Sequence, residues 1–299
     1  MSYTVTIAPV QQLDREQSLW SRPDFMQAAA SLQSLEAWHL LCHKGNQLVA
    51  CLPVYEKKLL SYRLLQSAIG SYYHGLDIWL EDNSLPARRS LDTLQIVSAI
   101  AQFIGNRYKK IAFNLSPDTM DVRGFSWNHL KAYPRYTFTH NCSLSLQPLP
   151  DERKKISLAA KQNYRFCEEF RPAEFMALFA EMNGRKNRHL GFTGKNLLLF
   201  LESLHSFGIM QQFNLYQEER IVSSNIMLQG SKEKAFTVFR ATDPEALKTG
   251  ASGLHTLKLI ESFAGKPVEL DFCGANIPEI ARFKAALGLE LKVFYQIHS

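Results

Sequence analysis

The chain has 299 residues, 46% hydrophobic and 21% charged, with a formal net charge of +6. That length and balance suit two compact domains and exclude a disordered chain. The mild basicity favours anionic partners such as phosphates, nucleotide-linked molecules or nucleic acid, and it fits ordinary enzymes as well.

Alternation over residues 3–7 predicts a strand. Helical patterns cover residues 14–20 and 23–36. Strands are predicted over 38–43 and 48–55, joined by a turn at 44–47, where Gly45 and Asn46 accept positive φ. Strand-like material runs over 62–80, broken by Gly70 and Gly75. A long helix over 85–104 is expected to stop at Gly105, and a strand over 111–115 follows. In the second half, helices are predicted over 151–165, 172–182 and 193–206. Strands are predicted over 211–216, 221–228 and 235–241, with a turn at 217–220. A helix over 253–264 ends at Gly265, and a strand over 268–272 comes next.

The second half repeats the first. GNQLVACLPVY matches EERIVSSNIML as turn and strand, and TLQIVSAIAQFIGNRYKKIAFNLSP matches TLKLIESFAGKPVELDFCGAN as helix, glycine, strand and polar loop. This predicts an α/β (α+β) fold of two units, residues 1–140 and 141–299. Hairpin-linked strands crossed by one helix make each sheet mixed and mostly antiparallel, flanked by helices. The five cysteines, Cys42, Cys51, Cys142, Cys167 and Cys273, have no zinc spacing, so no metal is expected. Scattered thiols fit a reducing compartment. No leader pattern or membrane-length apolar run is read, so a cytoplasmic, soluble protein is expected.

The chain closes on Asp271, Phe272 and Gly274, then Phe283, Lys284 and Gly288. Together with the tandem order, this pattern resembles the FemABX-like peptidoglycan-bridge aminoacyltransferases and related tandem GNAT acyltransferases. The resemblance implies transfer of an acyl or aminoacyl group to an amine of a cell-envelope or sugar precursor. It implies no tightly bound cofactor, with acyl-CoA or aminoacyl-tRNA as co-substrate. The acceptor would be a small or nucleotide-linked amine lying in a cleft between the units. The long heptad pair of the tRNA-using members is missing from the sequence, which disfavours tRNA. Two other readings stay open: an acetyl-CoA-dependent N-acetyltransferase of a sugar or polysaccharide precursor, and a degenerate transferase that only binds.

The resemblance sets Lys284 beside the transfer centre, where a lysine donates to an oxyanion or a phosphate; otherwise it is a surface lysine with Phe283 as its buried partner. Asp271 orients the amine or acts as base, or else caps its loop. Lys248, Thr249, Gly250, Ala251, Ser252 and Gly253 form a degenerate version of the GNAT loop that holds the donor pyrophosphate at a helix start; the alternative is a plain glycine-rich N-cap. Arg240, Asn225 and Ser223 either line a cleft or satisfy one another in the core. Tyr72, Tyr73 and His74 wall an acceptor cleft or pack the core. Cys273 with His255 or His74 is a weaker nucleophile reading. Lys154, Lys161 and Arg165 share a predicted helix face, and Arg185, Lys186, Arg188 and His189 cluster in a loop. Both sets suit an anionic acceptor or solvent.

Overall fold

The computed structural model describes residues 2–81, 85–185, 187 and 190–299. Contacts divide the chain into one unit of residues 1–135 and 293–299 and a second of residues 136–292. The division falls a few residues before the expected one at 140, and the last seven residues return to the first unit.

The first unit contains β1 (Tyr3–Pro9), α1 (Pro23–Leu32), β2 (Glu36–Lys44), β3 (Gln47–Leu59), β4 (Tyr62–Gln66), β5 (Asp77–Ile78), α2 (Pro86–Arg107), β6 (Lys110–Asn114) and α3 (Arg123–Trp127). The strand β7 (Lys131–Asn141) then carries the chain into the second unit. There follow α4 (Pro150–Ala159), β8 (Tyr164–Glu168), α5 (Pro172–Arg185), α6 (Gly194–Ser206), β9 (Met210–Gln217), β10 (Arg220–Gln229), β11 (Lys234–Thr242), α7 (Pro244–Lys248), α8 (Ala251–Ser262), β12 (Glu269–Asp271), α9 (Pro278–Ala286) and β13 (Glu290–His298).

Both sheets follow one plan. In the first unit the order is β1-β2-β3-β4-β6, with the end of β13 beside β6; only β4 and β6 run parallel, across α2. In the second the order is β7-β12-β11-β10-β9-β8; only β11 and β12 run parallel, across α8. The mixed, mostly antiparallel architecture is the one the repeat implies. The short β5 adds to β3.

The strand β10 is buried without a break from Ile221 to Leu228. A strand covered on both faces needs no alternation, because α8 packs against one side and α5 against the other. The core of the first unit joins Ala50, Leu52 and Val54 of β3 to Ile96, Val97 and Ile100 of α2. The core of the second joins Met227 of β10 and Phe213 of β9 to Leu254 and Leu259 of α8.

Three local expectations change. Residues 14–18 form no helix, and only a 3-10 turn at Leu19–Ser21 appears. The helix predicted over 151–165 stops at Ala159; Asn163 takes φ +54, and the alternating Tyr164–Glu168 becomes β8. Lys154, Lys161 and Arg165 therefore share no helix face. Gly105 does not end α2, which runs on to Arg107.

Candidate functional site

The parallel pair of β11 and β12 is short. Register holds only from Lys234↔Glu269 to Phe236↔Asp271. Beyond it β11 continues to Thr242 while β12 ends at Asp271. Past that end Arg240 of β11 reaches the start of α8 and lies close enough to act on the Lys284 ammonium that holds the loop 272–274.

That loop is clamped from two sides. Asp271, 4% exposed, accepts through Oδ1 from Thr137 Oγ1 at 2.5 Å and from the Cys273 backbone N–H at 2.8 Å. Cys273 and Gly274 both take left-handed backbone, at φ +39 and +83. The Lys284 ammonium, reaching back from α9, donates to the carbonyls of Phe272, Cys273 (3.0 Å) and Gly274. Three N–H donors meet three acceptors, so Lys284 is neither a surface lysine nor a free donor. Burial pulls its ammonium down to about 8; Arg240 adds to the fall, while Cys273 and Asp271 oppose it. Gly288, at φ +83, ends this segment because a Cβ there would overlap the Gln147 backbone, 2.8 Å from its carbonyl carbon.

Under α8 lies a polar patch in an otherwise apolar layer. Asn225 of β10 stands directly opposite Arg240 of β11, and Ser223 opposite Thr242. Ser223 Oγ lies 2.8 Å from Thr242 Oγ1 and 2.7 Å from His255 Nδ1 of α8. Arg240 donates to Thr256 Oγ1 at 2.7 Å and to the Ser252 carbonyl. Its Nε–H has no partner, and no carboxylate pairs with it among the described residues. Burial lowers the guanidinium to about 10. Asn225 is fully buried, and among the described residues neither its Oδ1 nor its Nδ2 has a hydrogen-bond partner. Burial first, and then Arg240, push His255 well below its ordinary value, so it is neutral. The centre carries Arg240 and Lys284 against Asp271, a net positive charge.

At two of these positions the first unit carries hydrocarbon. In the matched segments Ser223 corresponds to Ala50 and Asn225 to Leu52, both fully buried in the first core. At these two positions the second unit is polar where the first is apolar, although the first buries its own ion pair between Glu56 of β3 and Arg107 of α2.

The glycine loop at the start of α8 has another occupant. Gly250 takes φ +83, and a Cβ there would stand 2.9 Å from the Lys155 carbonyl oxygen of α4; one on Gly253 would stand 2.9 Å from Glu152 Oε1. Close helix packing thus accounts for both glycines, and a buried carboxylate already sits near the helix start. Ala251 is buried, Lys248 pairs with Glu245, and Thr249 Oγ1 bonds the Ala246 carbonyl. Gly250→Ala is expected to cost about 1–2 kcal/mol through the left-handed backbone and the α4 contact, read by urea denaturation.

The remaining expectations resolve individually. Phe283 is half-buried against the second core. Tyr73 belongs to the first unit, where it is fully buried with Trp20 at 5.6 Å and Phe294 at 5.2 Å. His74 is also fully buried there, its Nδ1 2.8 Å from the Pro53 carbonyl oxygen. These residues are core packing, not an exposed wall. Burial, and then Asp271, push the Cys273 thiol well up, which removes the thiolate a nucleophile needs. Lys186, Arg188 and His189 lie outside the described residues. Arg165 stacks on Tyr216 at 4.3 Å in a cleft of about 870 Å³. Its position on β8 turns it away from Phe166, which faces His255. In that cleft Arg171 pairs with Glu169 and Arg220 with Asp243, which leaves exposed Arg165 as its one lining cation with no ion pair among the described residues. The polar centre escaped the sequence reading in part: Asn225 and Arg240 were visible as polar residues in strands, but His255 and Thr256 join them only through the packing of α8.

No family model matches the sequence, and no curated protein does. Solved structures do. The crystal structure of FemX aligns with a TM-score of 0.62 at 12% identity, over 94% of this chain and 92% of that one. L-PGS from Bacillus licheniformis aligns at 0.58 and 12% identity, over 91% and 86%. A tandem GNAT protein from the clavulanic acid biosynthesis pathway aligns at 0.50 and 13% identity, over 92% and 87%. The chain has the FemABX-like, tandem GNAT fold that its closing motif implied.

Proposed function

We propose that the protein is an N-acyltransferase that moves an acyl or aminoacyl group from an activated donor to an amine of a cell-envelope or sugar precursor. The observation that carries this reading is the net-positive centre beside the clamped loop, with hydrocarbon at the first-unit positions matching Ser223 and Asn225. In direct transfer the amine nitrogen attacks the donor carbonyl carbon and a tetrahedral oxyanion forms. The bond to the leaving group then breaks, and the nitrogen gives up its proton. A positive potential fixed before the reaction favours that oxyanion without reorganisation. Lys284 supplies fixed charge and holds the loop, and Asp271 shapes the same loop, so both act as positioning residues. Phe283 packs behind them. Arg240 and Asn225 anchor the substrate.

The donor is an acyl-CoA or an aminoacyl ester. The seat of α4 against Gly250 and Gly253 supports a donor with no pyrophosphate at the start of α8; a CoA held there requires α4 to leave. No helix among the described residues is long and apolar enough to cross a membrane.

The test mixes the protein with acetyl-CoA or alanyl-tRNA and with amino-sugar nucleotides or lysyl peptides, and reads the amine by mass spectrometry. An added acyl or alanyl mass that requires the protein and its donor supports the proposal. No transfer from either donor to any of these amines leaves a binding module in its place.

A further inference from the structure

The transferase reading leaves open what Arg240 and Asn225 hold. Interiors do not keep a guanidinium without an anion, or an amide with both ends unmatched, unless something else completes them. Arg240 spends two of its donors on Thr256 and Ser252, which fixes the plane of the guanidinium and leaves the Nε–H unused. Asn225, directly across the strand pair, offers one donor side at Nδ2 and one acceptor at Oδ1, both unused. Of the buried acids nearby, Asp271 is taken up by Thr137 and the Cys273 N–H, and Glu152 by Lys155. Arg240 keeps part of its surface exposed, while its Nε and both Asn225 amide atoms are closed off from solvent, so a ligand enters only as this centre opens.

The missing group is defined by what is left over. Two donors, Arg240 Nε–H and Asn225 Nδ2–H, call for an anionic group with two oxygens. One acceptor, Asn225 Oδ1, calls for an N–H next to it. A phosphate monoester, doubly ionised above its second pKa of about 6, offers oxygens but no donor beside them. A bare acyl group offers neither the charge nor the N–H. We infer that Arg240 and Asn225 bind a carboxylate flanked by an N–H, as in an amino acid or the C-terminal residue of a peptide, carried by the substrate of the transfer. This rests on the transferase reading only for the word substrate; the binding itself does not need turnover.

The experiment measures binding of N-acetylalanine to the full chain by calorimetry, with acetate, N-methylacetamide and inorganic phosphate as comparisons. N-acetylalanine should bind at least tenfold more tightly than any of the three. Arg240→Met and Asn225→Val, shown to be folded by their melting curves, should each weaken it by about 10- to 100-fold, the loss expected for a charged or buried hydrogen bond. Acetate or phosphate binding as well as N-acetylalanine would overturn the N–H requirement and with it the inference. So would unchanged binding in both variants, or no binding of N-acetylalanine to the wild type. If transferase activity is found without any dependence on a carboxylate in the substrate, the inference fails and the transferase reading stands. If N-acetylalanine binds as described but no acyl donor is used, the reading fails and the inference stands.

Discussion

Replacing Lys284 with methionine is expected to destabilise the protein by about 2 kcal/mol at pH 7 and to lower transferase turnover by about 100-fold. The stability loss comes from the carbonyls of Phe272, Cys273 and Gly274, which lose their donor together. It is smaller than three full charged hydrogen bonds because the ammonium itself is costly to bury. That cost fixes a pH signature. The folded amine titrates at about 8 against an ordinary value of 10.5. Between these values the unfolded chain holds a proton that the folded chain has released, so wild-type stability rises with pH across that window. The methionine variant has no such group. The gap between the two proteins should therefore widen from pH 8 to 10.5, by about 1–3 kcal/mol after allowance for partial exposure. Urea titrations at pH 7, 8.5 and 10 check it. A gap that stays constant or narrows means the ammonium is not confined as the loop geometry requires.

What the sequence made legible was local. Gly45 marked the turn between β2 and β3 because positive φ is a property of one residue. The run from Ile221 to Leu228 declared a buried strand, and Gly265, at φ +76, follows the end of α8. The closing motif led to the right loop, since Asp271, Cys273 and Gly274 are neighbours in the chain. What it could not supply was partner identity. Lys284 read as a donor awaiting an oxyanion, and its actual acceptors are backbone carbonyls ten to twelve residues away. Gly250 and Gly253 read as room for a phosphate; the room is filled by α4, about a hundred residues earlier in sequence. Tyr73 read as a cleft wall because aromatics suit both cores and ligands, and only packing separates the two. Residues 160–165 were carried along with the preceding helix because the turn at Asn163 has no glycine to announce it.

Converting the polar centre to hydrocarbon is expected to make the protein more stable and inactive. Asn225→Val removes two buried polar atoms that no described residue satisfies, at a strand position where a β-branched side chain is favoured. Leu52 shows that the matching place in the first unit is apolar and fully buried. Arg240→Met removes a largely buried charge with no carboxylate partner among the described residues while keeping a side chain of similar length. Each change should stabilise by about 1–2 kcal/mol, since an unmatched amide or an unpaired charge costs at least that much. For a chain of this size the melting midpoint should rise by about 2–6 °C. The Arg240 gain is partly offset, because Thr256 Oγ1 and the Ser252 carbonyl lose their donor. Transferase activity should fall by at least about 100-fold in each. Stability gained where activity is lost marks groups kept for a ligand rather than for the fold. Melting curves and transfer assays on the same preparations decide it. If both variants are destabilised, the two side chains serve the core, and the difference between the units is a difference of packing alone.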